Sequence, residues 1–155
     1  MGWNDHKGFR EFGQRNSSQV YLARPGAYAL LINADGRIGV LDTPHGCFLS
    51  GGGSEGSETP EETLVREVRE ECGFEVQSLN RIGEAIEYVF TPGNDTGIRK
   101  ECVFFTANVG EVQGAASEVD HILIWLGPQE AKARLVHESQ KWAVDQSNQI
   151  ELKQK

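Results

Sequence analysis

A chain of 155 residues with 38% hydrophobic residues has the size of one ordinary domain and can bury one sizeable core. Its net charge of −8 argues against binding to long nucleic acids, because affinity for phosphate backbones depends on clustered lysine and arginine. The longest apolar run, near residues 27–32, is far shorter than the roughly 20 residues that cross a bilayer, and the N-terminus has no apolar signal segment, so we expect a cytoplasmic protein without membrane association.

The first part of the chain predicts a polar arm and a β-hairpin. Residues 1–19 are polar and are expected to form an extended or partly ordered arm, whereas residues 20–155 form a single domain. Two apolar runs within residues 28–41 flank an Asp-Gly pair, which is a strong turn signal between strands. Residues 47–49 predict a short strand that leads into a glycine loop at residues 51–53, where missing side chains let the backbone approach a ligand closely.

Helix start and stop signals bracket the next segment. Thr59, Pro60 and Glu62 follow the pattern of an N-cap, a first helical proline and the acidic partner of a capping box. Gly73 is the expected C-terminal cap. At about 100° per residue, one stripe of this helix is apolar and should anchor it to the core. The members of that stripe are Leu64, Val65, Val68 and Cys72.

A second stripe of the same helix carries Glu67, Glu70 and Glu71 and is expected to face a cleft. Like charges three and four residues apart weaken a helix by a few tenths of a kcal/mol per pair. A hard, oxygen-seeking cation removes that repulsion. The crowding therefore predicts a divalent-cation site, although in an arbitrary sequence a solvated acidic face is the simpler interpretation.

The remainder of the chain predicts strands followed by helices. Strands are expected at residues 81–90 and 100–109, joined by a loop at 91–99, and again at 121–126. Two helices are expected at the end of the chain, namely Pro128 to Val136 and Ser139 to about Ile150, with Ser139 as the cap of the second. Together these elements predict a mixed α/β domain.

Three cysteines and two isolated histidines carry no clear site pattern. Because Cys47, Cys72 and Cys102 are odd in number and widely spaced, they exclude a disulfide framework and suit a reducing compartment as small buried residues. His45 and His121 are predicted to be structural rather than metal ligands.

The glycine loop and the helix together fill a known signature, Gly-x5-Glu-x7-Arg-Glu-U-x-Glu-Glu-x-Gly-U, where U is apolar. The residues at its fixed positions are Gly52, Glu58, Arg66, Glu67, Val68, Glu70, Glu71, Gly73 and Phe74. The chain therefore resembles the Nudix hydrolases, which cut nucleoside diphosphates linked to another group. Weaker motifs extend the resemblance over most of residues 20–145.

This resemblance implies an α/β/α sandwich with a mixed β-sheet and a loop-helix-loop catalytic motif. It also implies a Mg²⁺- or Mn²⁺-dependent hydrolase that cleaves a phosphoanhydride bond of a small nucleotide-derived substrate, and a homodimer at the level of the family. The implied metal ligands are Glu67, Glu70, Glu71 and the backbone carbonyl of Gly51. Arg66 would orient the glutamates, and the backbone of Gly52 and Gly53 would contact the substrate.

The resemblance leaves three questions open. The catalytic base is either a glutamate of the helix or one on a later loop, where Glu118 is the candidate. The group linked to the diphosphate has no motif, so modified nucleoside triphosphates, dinucleoside polyphosphates, ADP-ribose and nucleotide sugars all stay open. A regulatory module that binds a nucleotide without hydrolysis is the alternative function.

Two residues depart from the family pattern. Ser50 and Ser57 stand where proline and glycine are usual, and we expect both to shape the backbone rather than to bind metal.

Several aromatic residues are candidates for a purine pocket. Alternation along strands sends half of these candidates into the core, so none is preferred. These candidates are Tyr88, Phe90, Phe104, Phe105 and Trp125, whereas Trp142 is predicted to anchor the core.

Overall fold

The computed structural model describes residues 10–90, 93, 95–112 and 120–154. Within these ranges, eight strands and three helices follow one another along the chain. The strands are β1 (Arg10–Phe12), β2 (Val20–Ile32), β3 (Ile38–Thr43), β4 (Gly46–Phe48), β5 (Ser50–Gly53), β6 (Phe74–Val89), β7 (Thr96–Val112) and β8 (Ile122–Leu126). The helices are α1 (Pro60–Cys72), α2 (Pro128–Arg134) and α3 (Glu138–Gln154).

All of these strands belong to one mixed sheet. Its path of hydrogen-bonded neighbours is β1-β6-β7-β2-β3-β4, while β5 pairs with β2 and β8 pairs with β3. The pairs β2 with β7 and β1 with β6 are parallel, and the remaining pairs are antiparallel. The predicted mixed α/β class is therefore confirmed.

Two hydrophobic cores lie on opposite faces of the sheet, because side chains alternate along each strand. On β7, Phe105 packs in one core with Leu64 of α1. The preceding residue, Phe104, packs in the other core with Ala131 of α2 and Ala143 of α3. The chain thus has the predicted α/β/α layers, with α1 on one face and α2 and α3 on the other.

The predicted β-hairpin is confirmed. β2 and β3 are antiparallel, and the Asn33 side-chain oxygen accepts hydrogen bonds from the amides of Asp35 and Arg37 at 3.1 and 2.9 Å. Gly36 has a φ of 75°, a conformation that glycine adopts at little cost.

Three strands are longer than the apolar pattern predicted. β2 begins at Val20 rather than near Tyr28, since parallel pairing with β7 extends over its whole length. β7 begins at Thr96, so residues 96–99 lie in a strand rather than in the predicted loop. β6 begins at Phe74, directly after α1. Pairing with distant segments extends these strands into polar stretches that no local pattern marks.

Part of the predicted arm belongs to the sheet. β1 pairs in parallel with β6, and the Phe12 ring lies 5.9 Å from the Trp142 ring, centroid to centroid. Trp142 also lies 6.2 Å from Phe104, which confirms it as a core anchor. Residues 1–9 lie outside the described part of the chain.

The last helix begins one residue earlier than predicted, and Ser139 is not its cap. α3 starts at Glu138, and the His137 carbonyl accepts the first hydrogen bonds, from the amides of Gln140 and Lys141, each at 3.1 Å. The Ser139 amide instead donates to the carboxylate of Glu87 on β6, at 2.8 Å. A buried carboxylate from a distant strand thus occupies the helix terminus, where anions are favoured.

The three cysteines are buried and free, as predicted. No helix in the described part of the chain combines the length and apolar character that a membrane crossing needs.

Candidate active site

The signature helix begins and ends where its capping residues predict. The Thr59 hydroxyl accepts a hydrogen bond from the Glu62 amide at 3.1 Å, and the Glu62 carboxylate accepts one from the Thr59 amide at 3.0 Å. Pro60 is the first residue of α1, and Gly73 ends the helix with a φ of 72°. This reciprocal capping box fixes the orientation in which the acidic residues leave the helix.

The buried face of α1 differs from the predicted apolar stripe at one position. Leu64, Val68 and Cys72 are buried as predicted, but Val65 is only half-buried. Thr63 is buried in its place, and its hydroxyl lies 2.8 Å from Ser54 Oγ and can satisfy its polar group there. The sheet therefore contacts α1 on a face rotated toward Thr63.

The predicted glycine loop is a strand. Gly51, Gly52 and Gly53 lie in β5 and pair in antiparallel fashion with Tyr28, Ala27 and Gly26 of β2, respectively. This close pairing requires glycine, because a Cβ at Gly51 would lie only 2.1 Å from the Ala27 carbonyl oxygen. The sequence pattern could not predict this strand, because glycine weakens a strand and is found there mainly where another backbone approaches closely.

The glycine strand also makes room for Glu67. A Cβ at Gly52 would lie 2.6 Å from Glu67 Oε1, so the missing side chain is what allows the carboxylate to rest against the strand. Burial raises the pKa of Glu67 above its usual range, although the adjacent Arg66 guanidinium opposes the shift.

The acidic stripe predicted that Glu71 faces a cleft together with Glu67 and Glu70. In the structure, Glu71 is turned away from these two residues and toward β5. Its side chain is buried, and its Oε1 accepts hydrogen bonds from the Ser50 hydroxyl at 3.0 Å and from the Gly51 amide at 2.8 Å. Ser50 therefore holds a glutamate, a role beyond the backbone shaping expected of it. The packing of α1 against β5 brings these residues together, although they are some twenty positions apart in the chain.

Arg66 joins the acidic residues into one network. Its Nη1 donates to Glu67 Oε1 at 3.0 Å and to Glu70 Oε2 at 3.4 Å, and its Nη2 donates to the Gly53 carbonyl at 3.1 Å. Its Nε donates to Glu58 Oε2 at 2.8 Å. This bonding lowers the pKa of Glu58 to about 2, so Glu58 stays ionised at neutral pH.

The carboxylates of Glu67, Glu70 and Glu71 do not converge on a common metal position. Among the described residues, no group of three acidic, histidine or cysteine side chains converges on one point. Glu67 and Glu70 are turned toward Arg66, whereas Glu71 is turned toward β5. Glu118, the loop candidate for the base, lies outside the described residues.

A cavity of about 300 Å³ opens beside β5 and Glu71. Residues from both halves of the chain line it: Tyr28, Leu41, Thr43, His45, Phe48, Leu49, Gly51, Gly52, Glu71, Lys100, His121 and Gln140. His121 Nδ1 lies 3.8 Å from Glu71 Oε2. Aromatic and apolar walls with a few polar groups are typical of ligand sites.

None of the predicted purine-pocket aromatics lines this cavity. Phe104 and Phe105 are buried in the two cores, and Phe90 is exposed. The cavity instead uses Tyr28 and Phe48, which no sequence motif marks. Strand alternation gives the face of each residue but not the register between strands, so the sequence held no signal that would bring these residues to one cavity.

Comparisons with known proteins agree with this fold. The sequence model of the NUDIX domain matches residues 22–146. Among solved structures, the chain is similar to the MutT protein from Bacillus halodurans, with 21% identity and a TM-score of 0.64 over 79% of this chain and 80% of that chain. The E. coli ORF135 protein has 20% identity and a TM-score of 0.60, over 89% of this chain and 96% of its own.

A NUDIX hydrolase from Nitrosomonas europaea has 16% identity and a TM-score of 0.64, over 82% of this chain and 89% of its own. No curated protein gives a significant match. The solved structures agree in fold at these low identities, and the domain match extends over most of the chain, including α1 and β5. The chain therefore belongs to the Nudix family.

Proposed function

We propose that this protein is a Mg²⁺- or Mn²⁺-dependent hydrolase that cleaves a phosphoanhydride bond in a nucleoside diphosphate linked to another group. The observation that carries the proposal is the Arg66 network, which gathers Glu58, Glu67 and Glu70 beside a glycine strand. Like charges on one helix face are costly in isolation. Their grouping around a single arginine favours a functional site over a solvated surface.

The chemistry of the donor set suits a hard divalent cation. Glu67, Glu70, Glu71 and the Gly51 carbonyl would hold the ion, since carboxylate and carbonyl oxygens are the ligands that such cations prefer. Gly52 leaves room for one of these ligands, because any side chain there would displace Glu67. When bound, the cation supplies charge neutralisation at the phosphate oxygens and an activated water.

Neighbouring residues hold the three glutamates of this site in place. Arg66 keeps Glu67 and Glu70 close together despite their repulsion. Ser50 and Gly51 hold Glu71 from the side of the strand. Such fixed placement lowers the reorganisation needed during the reaction.

The experiment combines a substrate panel with two glutamate variants. Nucleotide derivatives are incubated with Mg²⁺ in isotopically labelled water, and product masses identify the leaving group and the attacked phosphorus. We expect Glu70→Gln and Glu71→Gln each to lower turnover by at least about 10²-fold without loss of the fold, because they remove charge that compensates the cation. Glu75→Gln is the matched control, since this exposed carboxylate pairs with Arg69 outside the network.

Two results would contradict the proposal. Full turnover in both variants at saturating Mg²⁺ would contradict the assignment of Glu70 and Glu71 as metal ligands. Binding of nucleotides by the wild-type protein without hydrolysis of any of them would favour the regulatory module instead. Mg²⁺ should also raise the unfolding temperature of the wild-type protein more than that of Glu70→Gln, as linkage requires of a real site.

A further inference from the structure

Lys100 brings a positive charge to the cavity beside the acidic network. It is the one lysine or arginine among the described residues that line the cavity of about 300 Å³. The backbone of Gly51 and Gly52 and the side chain of Glu71 line the same cavity. An anionic ligand that enters it therefore meets both the glycine strand and this ammonium group.

Lys100 lies on β7, in the centre of the sheet, with a paired strand on each side. On β7 it is opposite Arg24 of β2 on one side and Glu87 of β6 on the other. Its Nζ lies 4.9 Å from the centroid of the Tyr28 ring. That ring is in turn packed against the glycine strand, since a Cβ at Gly51 would lie 2.8 Å from Tyr28 Cδ1. An aromatic face thus supports the ammonium group at the cavity wall.

Lys100 forms no ion pair with another described residue. Its neighbour Arg99 pairs with Glu101 at 3.0 Å. The carboxylate across the strands, Glu87, is engaged by His137 Nδ1 at 2.9 Å and by the Ser139 amide at 2.8 Å. No salt bridge within the described residues includes Lys100, so its half-buried charge is available to a ligand.

We propose that Lys100 binds a phosphate group of the substrate and so positions the diphosphate against the glycine strand; this inference rests on the proposed function. A lysine ammonium is a compact point charge that suits phosphate oxygens. An anionic substrate needs such a group, because Glu71 lines the same cavity and the chain has a net charge of −8. Lys100 offsets the repulsion that these carboxylates exert on an anionic substrate.

The test measures binding of inorganic pyrophosphate, the group shared by all candidate substrates, by calorimetry in the presence of Mg²⁺. Lys100→Gln should weaken binding by about tenfold or more, the typical effect of losing a hydrogen bond to a charged group. It should leave the unfolding temperature without ligand near that of the wild type. Lys132→Gln is the matched control, because it removes the same charge from an exposed pair with Asp145 on the helical side. Lys100→Arg should restore part of the affinity.

For any nucleotide that the wild-type protein hydrolyses, Lys100→Gln should raise KM more than it lowers kcat, since the lost contact is present before the reaction. Unchanged pyrophosphate binding in Lys100→Gln would overturn the inference, as would an equal loss in Lys132→Gln or a wild-type protein that does not bind pyrophosphate. Lysine-dependent pyrophosphate binding without any nucleotide hydrolysis would instead contradict the proposed function and leave the phosphate contact intact. The two failures are therefore distinguishable.

Discussion

Adding one methyl group at Gly52 should displace Glu67 without disrupting the fold. The Cβ of Gly52→Ala would lie 2.6 Å from Glu67 Oε1 and 2.7 Å from its Cδ. These atoms are the far end of a flexible side chain, so they can move. The neighbouring change Gly51→Ala is different in kind, because its Cβ would lie 2.1 Å from a backbone oxygen and the residue has a φ of 148°.

The size of the effect follows from the distances. Ordinary contact requires about 3.4 Å, so the Glu67 carboxylate has to move by about 0.8 Å. That movement competes with its 3.0 Å hydrogen bond from Arg66. Because such a bond contributes about 1.5–3 kcal/mol and rearrangement recovers part of it, we expect a stability loss of about 1 kcal/mol, or about 2–4 °C in Tm. A displacement near 1 Å at a catalytic group can lower kcat/KM by about 10²-fold.

The assay compares kcat/KM and Tm for Gly52→Ala and Gly53→Ala. The second variant adds the same methyl group one residue later, where the nearest atom is 3.9 Å away, so its kcat/KM should fall less than about tenfold. Equal kcat/KM values for the two variants would refute the role of Gly52 in placing Glu67. Cooperative unfolding of Gly52→Ala near the wild-type Tm is needed to assign the loss to the site rather than to the fold.

Two further predictions concern the core and the response to acid. Val68→Asp should unfold the domain, because it puts a charge at a fully buried position of α1, whereas the same change at half-buried Val65 should cost far less. Circular dichroism melting distinguishes them, and a cooperatively melting Val68→Asp protein would show that the assigned helix face is wrong. Burial alone would raise the pKa of Glu87, but its hydrogen bonds with His137 and Ser139 outweigh burial and hold the pKa below its usual value of 4.5. The stability that Glu87 contributes is therefore complete above that pH and is lost as the pH falls through the lower pKa of the folded state, so Glu87→Gln should flatten the acid side of the stability curve. Urea unfolding between about pH 6 and about pH 3 measures this, and parallel curves for the two proteins below pH 4.5 would contradict it.

The sequence by itself determined the features that depend on neighbouring residues. The limits of α1 followed from Thr59, Pro60 and Gly73, because capping requires groups only a few residues apart. The hairpin turn before Ile38 and the mixed α/β class followed from local turn signals and from the order of the elements. The acidic residues of the signature could also be identified from their spacing alone, since they all lie within one short stretch of the chain that ends in a single helix.

Only the tertiary structure decided the features that depend on register between distant segments. The glycine run became a strand because β2 lies beside it, and the packing of α1 against that strand buried Glu71 against Ser50. Parallel pairing of β2 with β7 brought Lys100 and Tyr28 to one cavity, although they are far apart in the chain. A shift of one residue in such a register moves every side chain to the opposite face, and local propensity does not distinguish the two arrangements. The burial of apolar residues on both faces at once selects one register, and that selection is a property of the whole fold.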